Sequence, residues 1–252
     1  MAASTLEFDV CPQVAEEHVV SHDGLQILES VGQAPRFNRW LMDGLQPYLG
    51  TRILEAGSGI GNLTELLSGC ERLVGVDMDA AYVDRLRRRY ASQPSYAFYQ
   101  TDLHDLIDMP ELTSERFDAV LCVNVLEHVR DDELVLSHFA KLLAPGGRLV
   151  LLVPAHPWLY SAVDRTLGHF RRYERQGLQR KIERAGLEME SLHGFNRLGA
   201  LGWLVSGKLL RRRTLSAGQM QAYERLLPVA RGMERLSFLP ALSLVAIAGK
   251  PV

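Results

Sequence analysis

Short apolar runs rich in β-branched residues alternate with helix-period segments through the middle of the chain. This alternation is typical of a parallel sheet covered by helices on both faces. It predicts an α/β, Rossmann-like fold. Strands are predicted at residues 52–55, 72–77, 96–100, 117–123 and 148–153, and helices at 62–68, 80–89 and 132–143. Residues 144–147, Ala-Pro-Gly-Gly, predict the end of the last helix and a turn.

The flanking segments predict a cap and an insertion. Apolar spacing over residues 32–49 indicates an amphipathic helix on the edge of the sheet or over its mouth. Two further strands are predicted at 187–192 and 242–248, with largely helical sequence between them. We therefore expect a single domain over residues 1–252. Its parts are a helical cap (1–48), a core (49–196 and 241–252) and a helical insertion (197–240).

Composition places the chain among ordinary globular proteins, with 47% hydrophobic and 23% charged residues. Cys11, Cys70 and Cys122 stand far apart, which argues against a disulfide framework or a zinc cluster. The first residues lack a basic n-region and an apolar h-region, and the longest apolar runs are too short to span a bilayer. We expect a cytoplasmic protein.

Charge is divided unevenly along the chain. Residues 1–164 contain 12 Lys and Arg against 24 Asp and Glu, whereas residues 165–252 contain 16 against 6. Solvated helix faces are the favoured interpretation of the basic half. An anionic acceptor, a lipid head group or nucleic acid are the alternatives.

A glycine-rich loop directly follows the first predicted strand. Gly57, Gly59 and Gly61 stand at alternate positions, which allows a tight turn and close approach of a ligand. The dinucleotide fingerprint GxGxxG would require glycine where Asn62 stands, and no GKS or GKT of a P-loop is present. These departures count against NAD, FAD and nucleoside triphosphates.

Acidic residues stand at or just after the ends of the first three predicted strands, at Glu55, Asp77 and Asp102. The carboxyl ends of parallel strands form the edge where open α/β sheets bind ligands. One acid alone could equally cap a helix or a turn. Three in register favour a ligand with hydroxyls, amines and positive charge.

The segments ILEAGSGIG, LVGVDMD, YQTDLHD, FDAVLCVNVLEHV and LLAPGGRLVLLVP resemble the class I S-adenosylmethionine-dependent methyltransferases over roughly residues 50–155. The resemblance implies S-adenosyl-L-methionine as cofactor and a seven-stranded, mostly parallel sheet of order 3214576 with strand 7 antiparallel. Most of residues 35–250 is similar to one bacterial type 11/12-like subgroup, which does not fix the acceptor. That subgroup is distantly similar to the ubiquinone-pathway O-methyltransferases.

The resemblance also implies roles at the cofactor. Glu55 and the three loop glycines would line its methionine part. Asp77 would hold the ribose diol, with Met78 beside the adenine. Asp102 would accept from the adenine amino group, with Leu103 adjacent.

Residues 124–128, Asn-Val-Leu-Glu-His, resemble the ExxEH element of ubiquinone-pathway O-methyltransferases, where acids and His can hold a divalent ion. Asn124 replaces the first acid here, so no metal site is predicted. Asn124 would instead lie near the methyl group. Glu127 and His128 are expected to shape the floor of the acceptor pocket.

A hydroxyl acceptor must lose a proton during methyl transfer, so the acceptor side needs a base. Candidates are His128, His156, His169 and Tyr173. We predict His169 as the general base, with His128 and Tyr173 as further catalytic candidates, although a lone His is more often structural.

Arginines beside aromatic residues at 168–173 suit an anionic or planar acceptor, and an ordinary charged helix surface is the alternative. The predicted acceptor-binding residues are Trp40, His156, Trp158, Tyr160 and Arg172. In the insertion, apolar residues from Leu198 to Leu210 precede Arg211, Arg212 and Arg213. Packing on the core or covering the acceptor is favoured there, with peripheral membrane contact as the alternative.

The predicted function is methyl transfer from S-adenosyl-L-methionine to a small molecule, with oxygen as the expected acceptor atom and nitrogen or carbon as alternatives. The rivals are another enzyme class on this fold, such as aminopropyl transfer, and a non-catalytic cofactor-binding module. No nucleic-acid partner is expected, because no NPPY-like base-flipping motif is present.

Overall fold

The computed structural model of the protein describes residues 34–210 and 217–252. Cys11, the first part of the predicted cap, and the basic run Arg211–Arg213 lie outside the described residues. Within them, Cys70 and Cys122 are free thiols.

A seven-stranded sheet forms the centre of the fold, in the order β3-β2-β1-β4-β5-β7-β6. Strands β1 to β5 pair in parallel, and β7 runs antiparallel to both of its neighbours. The predicted order and the antiparallel seventh strand are confirmed. The strands are β1 (Arg52–Ala56), β2 (Arg72–Asp77), β3 (Tyr96–Gln100), β4 (Phe117–Val123), β5 (Leu143–Pro154), β6 (Glu188–Phe195) and β7 (Ser243–Gly249).

Helices cover both faces of this sheet. In the described residues they are α1 (Pro35–Leu45), α2 (Ala80–Arg89), α3 (Pro110–Thr113), α4 (Asp132–Leu142), α5 (Ala162–Thr166), α6 (Arg175–Arg184), α7 (Arg197–Trp203), α8 (Ala217–Arg225) and α9 (Leu227–Met233). A π-helical segment, Leu204–Leu209, continues α7. Short 3₁₀ turns follow several strands.

Each face of the sheet has its own apolar core. On one face, α4 and α6 pack through Phe139 and Ile182 against the inward residues of β4 and β5. On the other, α1 packs through Leu41 and Leu45 against Ile53 and its neighbours in β4 and β5. Burial on both faces explains why the central strands are almost continuously apolar.

The helix predicted over residues 62–68 is wrong. The chain forms only a 3₁₀ turn there, Thr64–Leu66. Gly61 has a φ of +89°, and the Thr64 hydroxyl donates to the Glu55 carboxylate at 2.6 Å, which fixes the turn on the end of β1. Leu67, directly after this turn, is already buried. The apolar residues of the segment therefore reach the core without a longer helix.

The helix end predicted from residues 144–147 is confirmed to within one residue, since α4 ends at Leu142. The turn predicted there is wrong, because residues 144–147 lie within an irregular start of β5. The backbone N–H of Gly146 donates to the Lys250 carbonyl, and that of Lys250 donates to Gly147. A Cβ at Gly147 would lie 2.9 Å from the Phe117 carbonyl oxygen, so glycine is needed here for close strand approach rather than for a free turn.

Candidate functional site

The glycine-rich loop lies at the carboxyl end of β1 and is tied to β2. The backbone N–H groups of Gly57 and Ser58 both donate to the Val76 carbonyl, at 2.8 and 3.0 Å. Gly57 has a φ of +78°, and a Cβ there would lie 2.3 Å from a Val125 methyl group. The loop therefore requires glycine at position 57 for both conformation and space.

Asp77 at the end of β2 receives two backbone hydrogen bonds. Gly59 donates to its Oδ2 at 2.7 Å and Asp79 donates to its Oδ1 at 3.0 Å. Burial raises the pKa of Asp77, although these N–H donors act in the opposite direction. The glycine loop and the β2 carboxylate thus form one unit.

Glu55 lies at the base of the loop and is only 4% exposed. Burial raises the pKa of its carboxyl to about 8, with the nearby Asp77 charge adding to that rise. The Thr64 hydroxyl partly offsets this by donating to it.

A cavity opens between this loop, the end of β4 and helix α1. Glu55, Gly57 and Asn124 line it, as do Phe37 and Asn38 of α1. Asn124 has a φ of +53°, and its N–H donates to the Leu152 carbonyl. Three predicted cofactor residues therefore line the same cavity.

The other predicted cofactor residues lie outside the lining of this cavity. Gly59 and Gly61 are in the loop after β1, and the rest lie at the ends of β2 and β3. The Met78 side chain is 45% exposed beside Asp77. Asp102 is exposed and accepts from the His104 backbone N–H at 2.9 Å. Leu103 differs, because its side chain is buried in the core.

Comparison with known proteins agrees with this geometry. Residues 54–151 match the family described as the methyltransferase domain. This matched segment spans β1 to β5 and contains the glycine loop, Asp77, Asp102 and Asn124. Residues 54–151 form a methyltransferase domain.

Two relatives show how far the sequence similarity extends. A ubiquinone biosynthesis O-methyltransferase of Coxiella burnetii is 34% identical over 103 residues, which are 40% of this chain and 42% of that protein. An uncharacterised 37.1 kDa protein in a transposon of Streptomyces fradiae is 26% identical over 240 residues, covering 87% of this chain and 63% of that protein. The chain thus spans less than two thirds of either relative.

Among solved structures, the fold is similar to the N-methyltransferase NodS from Bradyrhizobium japonicum in complex with S-adenosyl-l-homocysteine. The TM-score is 0.54 and the identity 19%, with 86% of each chain covered. At this identity the likeness shows the fold alone.

A buried polar network centred on Asp164 lies in the segment that follows β5, beyond the matched residues. This carboxylate accepts from Arg172 Nε at 2.7 Å, from His169 Nδ1 at 3.1 Å, and from the Ser161 backbone N–H at 2.8 Å. Burial alone would raise the pKa of Asp164. The donors His169 and Arg172 outweigh it and hold the pKa below its ordinary value.

The guanidinium of Arg172 makes all of its described contacts inside the protein. Besides Asp164, its guanidinium donates to the Ala155 carbonyl and stacks 4.6 Å from the Trp203 ring. The residue is almost fully buried. In this arrangement Arg172 joins the loop after β5 to α7, and its charge is already paired before any acceptor binds.

His169, the predicted base, is 9% exposed, and its Nε2 faces Glu127 Oε1 at 3.9 Å. Its ring lies perpendicular to that of His128, with centroids 4.7 Å apart. Burial, with a smaller effect of His169, lowers the pKa of His128 to about 3. His128 is therefore neutral at ordinary pH.

Glu127 is fully buried, and within the described residues its carboxylate oxygens have no hydrogen-bond partner. Burial raises its pKa to about 7, with His169 acting in the opposite direction. Glu127, His128 and His169 offer ligand atoms within 4.8 Å of one another, the residue types that bind Zn²⁺. The prediction of no metal site remains a prediction.

Tyr173 is buried, and its hydroxyl lies 3.0 Å from Asp132 Oδ2 and 3.2 Å from the Leu126 carbonyl. Burial raises its pKa well above the ordinary value. These contacts fix the turn that carries Glu127. The position of Tyr173 suits a structural role in the site better than a role in proton transfer.

The remaining predicted acceptor residues are dispersed. The Tyr160 hydroxyl donates to the His169 carbonyl at 2.7 Å, whereas Trp158 is half-exposed beside His156, with ring centroids 5.6 Å apart. Trp40 lies in α1, where its ring packs 4.5 Å from Phe195.

Sequence reasoning missed two cavity residues of α1, Phe37 and Asn38. Phe37 contacts Trp40, Phe195 and Tyr223 at 5.9 to 6.2 Å between ring centroids. Asn38 is buried on the apolar face of α1. The sequence signal that could have identified Asn38 is its polar side chain at a position on the apolar face of a predicted amphipathic helix.

Proposed function

We propose that the chain transfers a methyl group from S-adenosyl-L-methionine to a small-molecule acceptor, at oxygen, by in-line displacement. The observation that carries this proposal is the joined unit of glycine loop and Asp77 beside the Glu55 cavity. This unit lies inside the segment that matches the methyltransferase family.

The residues fit an adenosyl sulfonium. Gly57 and Gly59 have no side chain, which leaves space for the methionine part of the cofactor. The Glu55 carboxyl can ionise and pair with the amino group of that methionine part. Asp77 keeps lone pairs for a ribose diol, and the exposed side chain of Met78 offers an apolar surface for adenine. When bound, the cofactor supplies a methyl group on a positively charged sulfur.

Oxygen is favoured as the acceptor atom because the Coxiella burnetii relative is named an O-methyltransferase. Nitrogen and carbon remain the alternatives. The acceptor would lie beyond Asn124, under Phe37 and Trp40 of α1, with Trp158 and His156 at the outer rim. Arg172 and Tyr160 would act indirectly, by holding the loop after β5.

His169 is proposed as the general base. Asp164 holds its Nδ1, which leaves Nε2 as the atom that takes a proton. This is the usual way in which a carboxylate fixes a histidine tautomer. Glu127 beside Nε2 would share that proton.

Methyl transfer is proposed to need no metal, because Asn124 stands where the ExxEH element has its first acid. Dialysis against a chelator should leave turnover unchanged. Loss of turnover that is restored by Zn²⁺ or Mg²⁺ would reverse this part of the proposal and assign the ion to Glu127, His128 and His169.

Product analysis tests the function. The protein is incubated with labelled S-adenosyl-L-methionine and a panel of small phenols, amines and carbon acids, and products are identified by mass spectrometry. S-adenosylhomocysteine together with a methylated acceptor supports the proposal. Methylthioadenosine would indicate aminopropyl-type chemistry, and cofactor binding without turnover on any acceptor would indicate a binding module.

The proposal extends to a single domain over residues 1–252 acting on small molecules in the cytoplasm, with no nucleic-acid partner. The described acceptor side supports small molecules, because its polar groups are largely paired inside the protein. Gel-shift assays with RNA and DNA should show no retained complex.

A further inference from the structure

Exposed apolar side chains are concentrated in one part of the molecule. Of the thirteen large hydrophobic residues that are exposed among the described residues, nine lie between residues 201 and 238. These nine are Leu201, Leu204, Val205, Leu209, Leu210, Leu226, Val229, Leu236 and Phe238. We call them the insertion face. None of them lines the cofactor cavity.

The spacing on α7 and the π-helical segment makes this face a stripe. Leu201, Leu204, Val205 and Leu209 follow one another at i, i+3, i+4 and i+8, which places them on one side of a helix. The other side packs inward, since a Cβ at Gly207 would lie 2.8 Å from the Ser161 hydroxyl. The apolar stripe therefore points away from the protein.

A second helix extends the face. α9 packs against α7 and buries Leu227 and Ala230, while Leu226 and Val229 remain exposed. Beyond its end, Phe238 is 80% exposed, and Leu209 at the end of the π-helical segment is 75% exposed. Scattered exposed hydrophobic residues are normal, but this concentration marks an interaction surface.

The charge of the insertion indicates the partner. Residues 197–240 contain eight Lys and Arg against two Glu, whereas the rest of the chain has a net charge of −8. Both acids are engaged within the fold. Glu224 accepts from the Phe37 backbone N–H at 2.8 Å, and Glu234 accepts from that of Arg197 at 2.9 Å. Basic residues such as Lys208 and Arg235 are exposed.

We propose that the insertion face binds the surface of a membrane that contains anionic phospholipids. Apolar side chains on a helix surface bury at the boundary between head groups and acyl chains, and nearby Lys and Arg add attraction to anionic head groups. A second copy of the chain would bring two basic surfaces together, which opposes self-association through this face. None of the helices in the described part of the chain has the length and apolar character needed to span a bilayer.

Vesicle flotation of the full chain tests the proposal. Phosphatidylcholine vesicles are compared with vesicles that also contain phosphatidylglycerol, and we expect at least about a tenfold larger bound fraction with the anionic lipid. Raised salt should reduce this fraction. The double variant Leu209→Ser/Phe238→Ser and the charge variant Lys208→Glu/Arg235→Glu should each lose most of the binding.

Two matched controls lie outside the insertion face. Leu134→Ser removes an exposed leucine of α4, and Arg88→Glu reverses an exposed arginine of α2. Both should float as the unchanged protein does, and thermal melts of all variants check that they fold.

Three results would overturn the proposal. The first is absence of flotation with the anionic vesicles. The second is equal loss of binding in the control variants. The third is a dimer in analytical ultracentrifugation that Leu209→Ser/Phe238→Ser dissociates, which would assign the face to a second copy of the chain.

Discussion

The backbone N–H of Gly59 donates to Oδ2 of Asp77 at 2.7 Å, which joins the loop after β1 to the carboxylate that ends β2. The two residues are far apart in sequence, and the parallel pairing of β1 with β2 brings them together. This contact fixes the direction of the Asp77 carboxylate before a ligand arrives.

Cofactor binding should release a proton from Glu55. Its pKa is about 8 in the free protein because it is buried, so most of it is protonated at neutral pH. An amino group placed beside it would lower that pKa, and about one proton should leave per cofactor bound. Calorimetry in buffers of different ionisation enthalpy measures this release.

Glu55→Gln is the matched variant for that measurement, because the amide keeps the shape and has no proton to lose. It should bind more weakly and with no buffer dependence. Equal proton release in Glu55→Gln would show that another group titrates.

Gly57→Ala should destabilise the protein and abolish cofactor binding. A Cβ at this position meets Val125, and the φ of +78° is unfavourable for alanine. We expect a loss of about 1–3 kcal/mol in the free energy of unfolding. Gly44→Ala on α1 is the control, since its Cβ would meet no atom within 4 Å. It should be neutral or stabilise by up to about 1 kcal/mol, as measured by urea denaturation.

His169→Ala should lower kcat by about 10²–10⁴ without changing cofactor affinity, if His169 is the base. Asp164→Asn should also lower kcat, because the carboxylate that orients the His169 ring through Nδ1 is lost. His128→Ala, next to it but with its pKa already near 3, should have a much smaller effect. Turnover that is unchanged in His169→Ala would remove its catalytic role.

Because of Glu127, the free energy of unfolding should fall as pH rises. Its folded pKa of about 7 exceeds the ordinary value of 4.5, so the fold favours the protonated form. Between about pH 4.5 and 7 the folded state should lose up to about 3 kcal/mol from this group, and the loss is complete above its folded pKa. Glu127→Gln should reduce this slope in urea denaturation curves at a series of pH values, and the part that remains is due to Glu55, whose raised pKa acts in the same direction. A slope as steep as that of the unchanged protein would contradict the assignment.

Much of the fold could be predicted from local sequence. α2 begins and ends at the predicted residues, because Asp79 caps its start and its apolar spacing is regular. The helix predicted over residues 62–68 is wrong because local periodicity contains no information on the tertiary hydrogen bond from Thr64 to Glu55. The parallel strand order followed from the family resemblance rather than from the strands themselves.

The acceptor side could be predicted less well. Glu127, Asp164 and His169 come from separate elements, and only the folded chain shows that they share one buried network. The sequence predicts that Arg172 binds an anionic or planar acceptor, yet its charge is balanced internally by Asp164. A motif scan reads residue types along the chain and cannot detect that a charge is already neutralised by a distant carboxylate.

Isothermal titration calorimetry of S-adenosyl-L-methionine and S-adenosylhomocysteine against the protein, Asp77→Asn and Asp84→Asn tests the central claim most directly. The unchanged protein should bind both compounds. Asp77→Asn should bind at least about tenfold more weakly, because a charge-assisted hydrogen bond is lost. Asp84→Asn, an exposed acid of α2, should bind as the unchanged protein does. Absence of binding at millimolar concentrations, or equal affinity in Asp77→Asn, would contradict the account.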